Sequence, residues 1–188
     1  MRDWVQDKYA HKVPLLQGKP FPYIELPHFF QAERINKVFE ALQKEEFSWK
    51  EADLFQFWQT ADLQSTTRKV LQEFRSFLSS AVFIEYMQRV TGIRLKKGII
   101  DMAGTLYKEN NFLLPHDDKF ERRKIAYFLY FSQVEGGELQ LFQGNKVEAR
   151  IRPGFNKFAF FVVSHQSVHQ VAEVLQGQRL AISGWFYG

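Results

Sequence analysis

The apolar pattern of this 188-residue chain changes period once, near residue 94, and that change constrains the fold more than any single motif. Before it the repeat is helical. Residues 31–46 carry Ile35, Val38, Phe39 and Leu42 on one stripe, and residues 64–91 carry Val70, Leu71, Phe74, Phe77, Leu78, Val82, Phe83, Tyr86, Met87 and Val90. Such spacing collects apolar groups on one face of a helix. The second stretch is expected to run as one long helix ending near Thr91–Gly92, where glycine closes it. Residues 21–30, FPYIELPHFF, are extended and punctuated by Pro22 and Pro27, while residues 50–63, KEADLFQFWQTADL, show no clean period. That last stretch is read as an irregular loop or a mobile flap, and as a candidate lid.

Past residue 94 the segments are short, follow a period of two and are split by turn signals such as Glu135-Gly136-Gly137, Gly144-Asn145 and Arg152-Pro153-Gly154. Strands are expected near 95–108, 111–115, 124–132, 138–143, 146–151, 156–163, 168–174 and 178–187. Eight short strands at this spacing point to a sandwich or jelly roll. The expected fold is α+β: a double-stranded β-helix (jelly roll, cupin-like) with the N-terminal helices packed on the outer face of one sheet. Residues 1–188 are expected to form a single domain, with 1–93 a mostly helical support and 94–188 the jelly-roll core. The 20 phenylalanines suit such a wide interior.

Composition narrows the chemistry. The chain has no cysteine, so disulfides, zinc–thiolate sites, iron–sulfur clusters and thiol nucleophiles are excluded, and any metal must be held by His, Asp or Glu. Charges interrupt the N-terminal apolar stretches, and the longest apolar run is Ile125 to Phe131, far short of a membrane span. A cytoplasmic protein with no membrane partner is expected. Net charge is +4, with basic groups at Lys96–Lys97 and Arg122–Lys124; this is read as a solvated basic surface or as attraction to a nucleic-acid-rich assembly, and no direct nucleic-acid contact is assigned.

Of the five histidines, His11 and His28 sit in unremarkable surroundings. His116 lies at a strand end in Leu113-Leu114-Pro115-His116-Asp117-Asp118. In extended backbone residues i and i+2 face the same way, so His116 and Asp118 project together and Asp117 turns away. An imidazole and a carboxylate on one face are two thirds of the two-histidine, one-carboxylate set that holds iron(II) in non-haem oxygenases. His165 and His169 follow in SHQSVHQVAEV, and Arg179 comes after the turn Leu175-Gln176-Gly177-Gln178. His169 and Arg179 are therefore spaced for neighbouring antiparallel strands, whereas His165 falls before those strands begin. A late histidine completes the ligand set, and a buried arginine next to it can grip a carboxylate with two charge-assisted bonds.

With these residues the chain resembles the 2-oxoglutarate oxygenases that hydroxylate a prolyl residue of a small-subunit ribosomal protein. The matching stretches are PFPYIELPHFF, DLFQFWQTADL, Leu113 to Asp118, ERRKIAYFLYF, GGELQLF and VHQVAEVLQGQRLAISGWFYG. The resemblance implies Fe(II) on His116, Asp118 and His169, 2-oxoglutarate on Arg179 with Tyr107 as hydroxyl donor, O2 as co-substrate, and ascorbate (vitamin C) as reductant. It implies a protein substrate, with the ribosomal protein the specific expectation. Eukaryotic members carry a second, non-catalytic jelly roll after the Gly-Trp-Phe ending. This sequence ends at Gly188, and is read as a single-domain relative or a trimmed chain. The carboxylate of Asp118 argues for hydroxylation over halogenation, which needs that position for halide. The same chemistry on a small molecule, and a metal- or 2-oxoglutarate-binding sensor without turnover, are the alternatives. Manganese, nickel or cobalt could replace iron in a purified sample.

Overall fold

The computed structural model describes residues 1–188 except Glu121. In chain order its elements are α1 (Asp7–Ala10), β1 (Tyr23–Leu26), α2 (Ala32–Leu42), β2 (Ser48–Ala52), β3 (Phe55–Gln59), α3 (Lys69–Leu78), α4 (Ala81–Thr91), β4 (Ala103–Tyr107), β5 (Phe112–His116), β6 (Arg123–Tyr130), β7 (Glu135–Gly136), β8 (Leu139–Gln143), β9 (Lys146–Ile151), β10 (Lys157–Val162), β11 (His169–Val171), β12 (Val174–Gln176) and β13 (Arg179–Tyr187). No helix among the described residues is long and apolar enough to cross a membrane.

Eleven strands make one antiparallel sheet that rolls into a nearly closed jelly roll. Its larger wall has the order β1-β10-β6-β13-β4, and its smaller wall β5-β11-β8-β9. Strand β3 joins them. Trp58 and Gln59 pair with Leu106 and Thr105 on β4, and Phe55 and Gln56 pair with Leu113 and Phe112 on β5.

Strand β6 shows why the larger wall forms. Its unbroken apolar run places Ile125, Tyr127 and Leu129 in the core beneath the helices, and Ala126 and Tyr130 in the core inside the roll. Strand β10 does the same with Phe158 and Phe160 on one side and Ala159 and Phe161 on the other. A strand buried on both faces reads as continuous hydrophobicity rather than alternation. The helix-side layer is completed by Ile35, Val38 and Leu42 from α2, Leu71, Phe74 and Leu78 from α3, and Phe83, Ile84 and Met87 from α4. Each such buried side chain contributes about 1.5–3 kcal/mol.

Three sequence expectations are corrected. The stretch 64–91 is two helices, because Ser79 and Ser80 offer the backbone local hydrogen bonds. Ser79 Oγ donates to the Arg75 carbonyl, and Ser80 Oγ accepts from the Phe83 N–H at 3.3 Å, capping a new helix. That restart shifts the helical phase, so Val82 is 52% exposed. Residues 50–63 are not an irregular loop: they supply most of the β2–β3 hairpin, with Trp49 opposite Trp58 and Lys50 opposite Phe57. Their mixed pattern reflects a strand that is half-buried along its length. The strand expected from residue 95 begins at Ala103.

Candidate active site

Strand β5 ends at His116 and β11 begins at His169, and the two residues are direct partners across the antiparallel ladder. Both imidazoles therefore leave the sheet on the same face, with ring centroids 4.3 Å apart. Each ring is aimed by its own backbone: His116 Nδ1 donates to the Leu114 carbonyl at 2.8 Å, and His169 Nδ1 to the Ser167 carbonyl at 2.9 Å. A carbonyl only accepts, so each Nδ1 carries a proton, and the neutral form of either ring would offer its Nε2 lone pair. Both Nε2 atoms point at Asp118, at 3.8 Å from Oδ1 for His116 and 3.5 Å from Oδ2 for His169. The three ligand atoms lie within 4.8 Å of one another.

Asp117 faces outward and meets the exposed His165, with Oδ2 3.6 Å from Nδ1. Ser164 and Ser167 lock the turn that carries His165, through Ser164 N–H to Ser167 Oγ at 2.9 Å. This keeps His165 apart from the cluster. Burial depresses the pKa of His169 to about 4, helped by the neighbouring His116 and opposed by Asp118. At neutral pH its ring is uncharged and its lone pair is available. Two imidazoles and one buried carboxylate on one face, beside an open cleft, suit a divalent ion that keeps free positions for substrate.

The opposite wall holds Arg179. It opens β13 directly across from Tyr107 on β4, and its guanidinium carbon lies 5.0 Å from the ring centroids of both Tyr107 and Tyr130. Its Nη2 donates to the Tyr130 hydroxyl at 3.5 Å. Arg179 is 1% exposed, and its Nε has no hydrogen-bond partner among the described residues. Among the described residues no carboxylate pairs with it. A buried cation with an orphaned donor needs an anion, and a small dicarboxylate entering the cleft would supply one. Burial pushes both tyrosine hydroxyls above their ordinary pKa, so each keeps its proton to donate. The Glu-Gly-Gly turn makes room: Gly137 has a φ of +64°, and a Cβ there would sit 3.3 Å from the Arg179 side chain.

Tyr107, His116, Asp118, His169 and Arg179 line one cleft. Phe57, which stacks on Tyr107 at 4.9 Å, Gln59, Phe128 and Trp185 line it too. The sequence reading missed Tyr130, Phe57 and Trp185 as site residues. Tyr130 was hidden inside an apolar strand and Phe57 in a stretch with no period. Trp185 had a signal, as part of the Gly-Trp-Phe ending. Its ring carries the guanidinium of Arg123 at 3.6 Å.

A jelly roll with a two-histidine, one-carboxylate cluster facing a buried arginine defines an oxygenase class. Residues 102–187 match the family model described as the 2OG-Fe(II) oxygenase superfamily, and the chain carries a domain of that superfamily, which uses Fe(II), 2-oxoglutarate and O2. Among curated relatives, the chain is 35% identical to the mouse prolyl 3-hydroxylase OGFOD1, over 96% of this chain and 35% of that protein. It is 32% identical to the Drosophila melanogaster prolyl 3-hydroxylase sudestada1, over 90% of this chain and 35% of that one. It thus spans about a third of the length of the curated relatives it matches. A solved Pseudomonas putida prolyl-4-hydroxylase shares the fold at TM-score 0.72 and 18% identity, covering 88% of this chain and 91% of that chain. A Trichoplax adhaerens prolyl hydroxylase in complex with a hypoxia inducible factor peptide fragment does so at TM-score 0.72 and 16% identity, covering 88% and 83%.

Proposed function

We propose that this chain is the catalytic domain of a protein prolyl hydroxylase, with a ribosomal protein as substrate. The observation that carries the reading is the identity to prolyl 3-hydroxylases across almost the whole chain, joined to a cleft that holds both halves of the required chemistry. In this reading His116, Asp118 and His169 hold Fe(II). Arg179, with the hydroxyls of Tyr107 and Tyr130, holds the distal carboxylate of 2-oxoglutarate.

Bound together with O2, the metal and co-substrate supply an oxidant that places one oxygen atom on a C–H bond, leaving succinate and carbon dioxide. The protein's part is orientation and exclusion of water. Leu114 and Ser167 carbonyls fix the imidazoles. Phe57 and Tyr107 close the wall behind the co-substrate. Trp185, braced by Arg123, offers a flat apolar face to the prolyl ring.

The test incubates the protein with Fe(II), ascorbate, 2-oxoglutarate and small ribosomal subunits lacking the modification, following succinate and ribosomal-protein masses together. Succinate with one added oxygen on a prolyl residue is the expected result. Succinate with no modified protein keeps the oxygenase and rejects this substrate. No succinate from iron-loaded protein overturns the enzyme reading in favour of a binding module.

A further inference from the structure

Basic residues that are far apart in sequence meet at the end of β13. The Lys96 N–H donates to the Tyr187 carbonyl at 2.8 Å, and the Gly188 N–H to the Arg122 carbonyl at 3.0 Å. A Cβ at Gly188 would meet the Lys124 side chain and the Arg94 carbonyl. Lys96, Ile99, Arg122 and Tyr187 line an open surface groove. Arg94, Lys96 and Arg122 are exposed and Lys124 is half-buried. Among the described residues none of these four has a carboxylate partner. Nearby, Glu85 pairs with Lys97 at 3.1 Å, and Asp101 accepts a hydrogen bond from the Tyr187 hydroxyl at 2.6 Å.

Like charges gathered with no carboxylate partner among the described residues repel one another, and a polyanion relieves that repulsion. The patch is not only cationic. Phe120 is 60% exposed beside it, with its ring 5.6 Å from the Arg123 guanidinium. An exposed aromatic ring beside these cations fits a single-stranded nucleic acid, whose phosphates take the cations and whose bases stack. An acidic protein segment would use the cations and leave the ring in water.

We infer that the face formed by Arg94, Lys96, Arg122 and Lys124, with Phe120, binds single-stranded RNA or DNA. The groove borders the cleft, because the Arg123 that faces Phe120 also stacks on Trp185. A nucleic acid held there lies alongside whatever protein the cleft receives. The inference stands on the surface and not on turnover, so it can fail while the hydroxylase reading holds.

The experiment is fluorescence anisotropy of the whole chain with a short labelled oligouridylate across a salt series. Lys96→Glu with Arg122→Glu should weaken binding more than tenfold and reduce the log–log salt slope by about 1.4, roughly 0.7 for each lost phosphate contact on a single strand. Phe120→Ala should weaken oligouridylate binding severalfold and leave heparin binding unchanged. Succinate release on a short prolyl peptide should be unaffected in the charge variants. Lys146→Glu with Arg150→Glu, on the outermost strand of the smaller wall, is the control and should bind as the parent does. Three results would overturn the inference: no binding at low salt, an equal loss in the control pair, or Phe120→Ala lowering heparin and oligouridylate affinity alike, which would mark a site for any polyanion, acidic proteins included.

Discussion

The two walls of the roll are built differently and hold different halves of the candidate site. The larger wall is covered on its outer face by α2, α3 and α4, and its strands β6, β10 and β13 are buried on both sides. The smaller wall has an outer face in water: β9 alternates exposed and half-buried positions, and β8 buries Leu139 and Leu141 on its inner face only. Tyr107, Tyr130 and Arg179 stand on the larger wall. His116 and His169 stand on the smaller one, with Asp118 just beyond it. A guanidinium that must stay dry and partly unpaired needs a deep, rigid setting. Candidate metal ligands need only a shared face and short backbone tethers, which two adjacent strands supply. The cleft exists because β3 bonds to both walls and holds them together.

That contrast can be broken by experiment. The largest effect is expected from Asp118→Ala, which should reduce succinate release to background; full turnover would remove the smaller wall from the chemistry. Phe158→Ala, deep in the helix-backed layer, should cost about 3–5 kcal/mol by urea unfolding, while Phe142→Ala on the half-open smaller wall should cost well under half as much; equal losses would show that the two walls are equally packed. Arg179→Ala should raise the 2-oxoglutarate requirement by roughly 2–5 kcal/mol while iron retention stays intact. Joint loss of both would show that the walls do not act separately. Tyr130→Phe should weaken 2-oxoglutarate by about 1.5 kcal/mol, with an unchanged KM removing that hydroxyl from the clamp.

The smallest effect at neutral pH concerns His169. Its folded-state pKa is about 4 against an ordinary 6.5. Between those values the unfolded chain binds more protons than the folded one, so stability in the presence of a chelator is complete above pH 6.5 and falls as pH drops towards 4. His169→Gln should flatten the melting temperature across that window. A profile as steep as the parent's would place the acid sensitivity elsewhere.

Much of this architecture is legible from periodicity. Most of the expected strands after residue 108 fall within a few residues of observed ones, because turn residues such as Gly136, Gly144 and Gly154 punctuate them. The helical stripe of α2 is equally plain. The hairpin at 48–59 was not legible, since a strand half-buried on both faces leaves no alternation to see. Nor was the break at Ser79–Ser80, where two serines compete locally with a helix that the apolar pattern would have continued.

For the candidate site, the division follows from range. His116 and Asp118 are two residues apart on extended backbone, and the alternation of a strand puts them on one face without help from the rest of the molecule. The pairing of His169 with Arg179 on neighbouring strands is likewise a matter of a short turn. Three things depended on the tertiary structure. Tyr130 became a partner of Arg179 only when β6 and β13 paired. Gly184 proved obligatory because a Cβ there would fall 1.9 Å from the Asp101 carbonyl oxygen. The basic residues at 94–97 and 122–124 became one surface only when β13 ended between them. The sequence alone determined what local backbone geometry can transmit, and contacts across many residues were decided by which strands the buried apolar surface brought together.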